Sequence, residues 1–86
     1  MKIISVNVSA LAPPEPMRVI LSSLAELPNG AVLKVKHRRE PFPLYERLLA
    51  NGWLYHSKLI SDEGFVIYIA NEQDKQQFSA YIDSNT

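Results

Sequence analysis

The chain has no cysteine, and that absence excludes more chemistry than any other feature of its composition. Without a thiol there is no disulfide, no cysteine nucleophile, no thiol redox couple and no Cys-ligated zinc. Histidine is almost as scarce: His37 and His56 are the two present, so a His-rich metal site is not expected, nor is any cofactor. Net charge is absent as well. Nine basic residues balance nine acidic ones, which removes the broad cationic field that gathers phosphate and leaves room only for a local patch. No apolar run approaches the ~18 residues of a membrane span. Residues Met1 to Val8 carry one Lys but no continuous apolar core of a signal peptide, so the expected location is cytoplasmic, with no membrane partner.

What remains is an ordinary globular composition, 47% hydrophobic and 21% charged, on 86 residues. That length reads as one domain over 1–86, with a core over 3–70 and a tail or short helix over 71–86. Ile4, Val6 and Val8 alternate with Ser5, Asn7 and Ser9, the period of a half-buried strand. The run Pro13-Pro14-Glu15-Pro16 opens a helix, because proline in the first turn forfeits an N–H that has no partner there anyway. Met17, Ile20, Leu21, Leu24 and Leu27 form that helix's apolar stripe, and Pro28-Asn29-Gly30 ends it.

Ala31 to His37 alternates again, with Ala31, Leu33 and Val35 on one face and Val32, Lys34 and Lys36 on a partly solvated other. After His37-Arg38-Arg39-Glu40 and Pro41-Phe42-Pro43, Leu44 and Leu48 mark a short helix capped at Asn51-Gly52. Trp53 to Ile60 and Phe65 to Ala70 read as a hairpin turning at Ser61-Asp62-Glu63-Gly64. Asn71 is placed to cap a last helix bearing Phe78, Tyr81 and Ile82, with 83–86 fraying. The order β-α-β-α-β-β predicts an α/β (α+β) two-layer sandwich. A four-stranded mixed sheet carries two helices on one face, each βα unit joining parallel neighbours, and the extra C-terminal helix is left open.

The segments Leu11-Ala12-Pro13-Pro14-Glu15-Pro16 and Leu27-Pro28-Asn29-Gly30-Ala31-Val32-Leu33, in this order around a helix, resemble the TusA/SirA-like proteins. The likeness is nearer to a cysteine-less sister family of small bacterial proteins, with Pro-Pro where the carriers have Cys-Pro. In that family an Arg-Glu-Pro or His-Asp-Pro element precedes a Pro-Leu, here Arg39-Glu40-Pro41-Phe42-Pro43-Leu44. The chain departs from the sister pattern at Asn7, Ser9 and Ala10, where Asp, Arg and Gly are the rule. The resemblance implies the same sandwich and a site at the mouth of the first helix. In the carriers a thiol there transfers persulfide sulfur. The matching position is Pro13, which has neither nucleophile nor proton, so the chain is not expected to carry sulfur.

Four candidate sites follow. The helix mouth, Pro13 to Pro16 with Asn7 and Ser9, presents helix-start donors to an anion, but Pro14 and Pro16 delete two of them and Glu15 repels; a rigid helix initiator is the alternative. Lys34, Lys36, His37, Arg38 and Arg39 form the densest basic cluster, either a patch for phosphate, RNA or an acidic partner or a solvated face balanced by Glu40 and Glu46. His37 with Glu40 has acid–base or metal-ligating chemistry but needs a third convergent group, and Asp62 and Glu63 belong to the hairpin turn. His56 reads as a rim residue. The aromatics Phe42, Tyr45, Trp53, Tyr55, Phe65 and Tyr68 divide between core and an exposed patch, on which a homodimer is the simplest alternative to a monomer.

Two functions are carried forward. One is a non-catalytic interaction or regulatory module that binds a protein partner through Pro13, Glu15, His37, Arg38, Arg39 and Glu40. The other is a small RNA- or anion-binding domain using the Lys34–Arg39 patch.

Overall fold

The computed structural model describes residues 1–61 and 64–85; Asp62 and Glu63, where the hairpin turn is expected, and Thr86, where fraying is expected, lie outside the described residues. Strand β1 (Lys2–Asn7) leads through helix α1 (Glu15–Ala25) to β2 (Ala31–His37). Helix α2 (Phe42–Ala50) precedes the hairpin β3 (Trp53–Ser61) and β4 (Gly64–Asn71), and after a single 3-10 turn helix α3 (Lys75–Asn85) closes the chain. The four-stranded mixed sheet and the helix pair are those the alternation and stripe patterns predict.

The sheet order is β1-β2-β4-β3, with β1 parallel to β2 and both contacts of β4 antiparallel. The second βα unit therefore joins parallel strands that are not neighbours, a correction to the expected adjacency. β4 inserts between them because Val66, Ile67, Tyr68, Ile69 and Ala70 are apolar on both faces and take the position buried on both sides.

Residues of one parity, Ile4, Val6, Leu33, Val35, Ile67 and Ile69, face α1 and α2 and pack on Ile20, Leu24, Leu44 and Leu48. The opposite face is not simply solvated. Val32, Val66, Tyr68 and Ala70 form a second apolar cluster with Phe78 of α3, supported by Leu54, Tyr81 and Ile82. Val32, expected on a partly solvated face, is fully buried, since α3 lies across that end of the sheet.

Asn71 does cap, its side chain accepting the Gln73 N–H at 2.9 Å, but the element it caps is the 3-10 turn Glu72–Asp74 that leads into α3 rather than α3 itself. Expected to fray, residues 83–85 instead remain helical. Tyr81 and Ile82 hold the last turn to the sheet, and Asn85 Nδ2 donates to the Tyr81 carbonyl at 2.8 Å. Asp74 ties this segment back to the α1–β2 turn, its Oδ2 accepting the Gly30 N–H at 3.0 Å.

Candidate functional site

The fold brings two separate proline segments together. Pro13, Pro14, Pro16, Met17 and Ile20, from the entrance and first turns of α1, face His37, Pro41 and Leu44 across a cleft of about 290 Å³. Seven of these eight residues are apolar, and His37 is the single polar one. Prolines keep the rim stiff, because their φ is fixed before folding and little freedom remains to be lost on binding. The Pro13–Pro14 peptide is cis. Ile20 and Leu44 are fully buried in the core while also forming the cleft floor, so the cleft sits on rigid packing rather than on a loop.

A smaller hollow of about 180 Å³ adjoins it, lined by Val8, Leu11, Ala12, Arg38 and Arg39 and sharing Pro13, Pro16 and His37 with the cleft. Apolar floor and cationic flank thus run together. Both arginines are exposed, and neither is in an ion pair with a described residue.

His37 is half-buried between the two hollows, and burial holds its pKa below the ordinary 6.5. Its Nδ1 accepts the Arg39 backbone N–H at 3.1 Å, so the neutral ring carries its proton on Nε2. The ring fixes the start of the loop and is the one polar side chain in the cleft lining.

Glu40 has a different task. Its Oε2 accepts the Tyr45 hydroxyl at 3.0 Å and the Ser57 hydroxyl at 2.8 Å, tying the loop to α2 and β3. Tyr45 is buried and stacked on Tyr55, ring centroids 4.1 Å apart and 4° from parallel. Burial pushes its pKa up to about 12, with Glu40 adding to the rise while the Ser57 contact opposes it. The structure therefore does not join His37 and Glu40 as a hydrogen-bonded pair: each holds a different partner. Among the described residues, no three His, Asp or Glu side chains converge as metal ligands would.

The helix mouth offers little to an anion. Pro14 and Pro16 have no N–H, and that of Glu15 goes to the Ala12 carbonyl at 3.0 Å. The Glu15 carboxylate pairs with Arg18 at 3.0 Å on the exposed side of α1. Asn7 and Ser9 are separate from the cleft: Asn7 Oδ1 accepts the Ser9 N–H and hydroxyl at 3.0 and 2.6 Å.

The basic cluster divides where β2 ends, after His37. Lys34 and Lys36 line a hollow on the sheet face opposite α1 and α2, together with Ser5, Asn7, Ile60 and Val66. Arg38 and Arg39 stay with the cleft. Glu46 is exposed on α2, and His56 lies on the open sheet face beside Tyr68. Of the aromatics, Tyr45 and Tyr68 are buried, Trp53, Tyr55 and Phe65 are half-buried against the core, and Phe42 is 65% exposed. Reading the sequence missed Met17, Ile20 and Leu44 as cleft lining, because their spacing marks them equally as helix core. It also missed Lys58, whose parity is fixed only by the hairpin register.

Fold and site together define a small α+β domain with a proline-rimmed apolar cleft, flanked by arginines and lacking any thiol. The family described as "Uncharacterized conserved protein (DUF2249)" matches residues 5–79, and the chain belongs to that family. The matched span covers both sides of the cleft. No curated protein and no solved structure matches the chain.

Proposed function

We propose that the chain is a non-catalytic interaction module, regulatory in role, that holds an apolar segment of a protein partner in the cleft. The observation that carries the reading is the meeting of Pro13–Ile20 with His37–Leu44 in one apolar concavity on a packed floor. Arg38 and Arg39 beside it favour a segment in which apolar residues are followed by an acidic one. Resemblance to the TusA/SirA-like carriers supports the same location. The position of their working thiol is Pro13, on the cleft rim, so the scaffold keeps the place of contact without sulfur transfer. Glu15 is paired with Arg18 outside the cleft, and Glu40, bound to Tyr45 and Ser57, positions the wall rather than touching the partner.

Selection of displayed 12-residue peptides on the immobilised chain tests this. Retained peptides are expected to share an apolar run followed by Asp or Glu. Their affinity should fall at least tenfold on Met17→Lys, which puts a charge into the cleft, and less on Arg38→Ala with Arg39→Ala. Peptides without that pattern, or binding indifferent to Met17→Lys, overturn the reading.

A further inference from the structure

The four strands contain no carboxylate at all; their charged residues are Lys2, Lys34, Lys36 and Lys58. The seven acidic residues among the described ones lie in helices, loops and turns, so a chain of zero net charge carries strands whose charged residues are all cationic. Register concentrates three of these lysines. In one cross-strand row Asn7 pairs with Lys36, Lys36 with Val66 and Val66 with Lys58; in the next, Ser5 pairs with Lys34, Lys34 with Tyr68 and Tyr68 with His56. Val66 and Tyr68 belong to the cluster under α3, which places Lys34, Lys36 and Lys58 on the face away from α1 and α2.

α3 packs on this face at the end held by Phe78; Lys36, Lys58 and Ile60 are exposed, and Lys34, Lys36 and Ile60 line a hollow of about 400 Å³. From strand geometry, Lys36 lies about 7 Å from Lys34 and about 10 Å from Lys58 between Cα atoms. Like charges at such distances repel, and none of the three is in an ion pair with a described residue. Lys34 Nζ lies 6.0 Å from the centre of the Tyr68 ring.

We propose that this open half of the sheet binds a single-stranded nucleic acid through its phosphates, with Lys34, Lys36 and Lys58 as the neutralising groups. Lysine is a compact charge suited to phosphate, and Ser5 and Asn7 add the neutral donors common in phosphate contacts. Strand pairing has already consumed the backbone groups of the central strands, so the face has only side chains to present. A shallow face whose described strand residues include no carboxylate admits a flexible phosphate chain from several directions, whereas an acidic protein needs a larger complementary surface. The arginines play no part, because Arg38 and Arg39 lie with the cleft. The site does not depend on the cleft's function.

The test is fluorescence anisotropy of a labelled 12-nucleotide oligouridylate at 50 and 200 mM NaCl. Three phosphate contacts on a single strand predict a log–log salt slope near −2, a loss of about 15- to 20-fold across that range. Lys36→Glu with Lys58→Glu, both exposed positions, should reduce affinity at least tenfold with the circular dichroism spectrum unchanged. Arg38→Ala with Arg39→Ala should leave the slope as it is. Absence of salt-dependent binding, a slope that follows the arginines instead of the lysines, or equal affinity for a 12-residue polyglutamate would each overturn the proposal.

Discussion

Gly64→Ala is expected to lower stability by about 3 kcal/mol, which for a domain of this size is roughly 12–24 °C in Tm. Gly64 opens β4 with φ at +141°, a backbone conformation essentially confined to glycine. A Cβ there would collide with the His37 carbonyl oxygen and come within 3.2 Å of Arg38 Cα. Both are backbone atoms, so no side-chain rotation relieves the clash. The start of β4 and the end of β2 would have to part, displacing the loop that supplies His37 and Pro41 to the cleft. Gly30→Ala is the internal comparison. Its φ is +79° and nothing lies within 4 Å, so only the left-handed conformation is penalised, about 1–2 kcal/mol. Thermal melts of the two variants separate close approach from conformational preference; equal losses would refute the tight β2–β4 contact.

Phe78→Ala should cost about 3–5 kcal/mol, as large as truncating a central core residue. Phe78 is 5% exposed and is buried in one cluster with Val32, Val66, Tyr68 and Ala70, so its removal opens a void beneath α3. Denaturant unfolding measures the loss. A change below 1 kcal/mol would mean that α3 is an appendage and that the second face of the sheet is not a core. The effect should spread along β4, whose residues serve both clusters, and the transition should stay a single cooperative one.

Much of this architecture was readable from residue periodicity. Alternation in β1 and β2, the Met17–Leu27 stripe and the Asn51-Gly52 stop follow local rules that the chain obeys. The strand order did not follow, since β4's place between β2 and β3 depends on its being apolar on both faces, a property that declares a central strand only once its neighbours are known. α3 was legible as a helix from Asn71, Phe78, Tyr81 and Ile82, but not as the cover of the opposite sheet face. Which side a terminal helix takes is decided by where apolar surface remains, here around Val32 and Ala70.

The candidate site was legible in pieces. Pro13 and the Arg39-Glu40-Pro41 loop stood out separately, and their meeting across the cleft is a long-range fact. The basic cluster is continuous along the chain, yet Lys34 and Lys36 point from β2 to one sheet face, while Arg38 and Arg39 follow the strand's end at His37 and lie beside the cleft. Glu40 looked like a partner for His37 until the fold supplied Tyr45 and Ser57, which lie five and seventeen residues away.

The central claim is that the proline-rimmed cleft is the place of contact. Backbone amide chemical-shift mapping with a peptide of an apolar run ending in Asp tests it most directly. The largest shifts are predicted at Met17, Ile20, His37, Arg39 and Leu44, with those of Lys34, Lys58 and Phe78 unmoved. Shifts centred on the sheet face or on α3, or none at millimolar peptide, would contradict it.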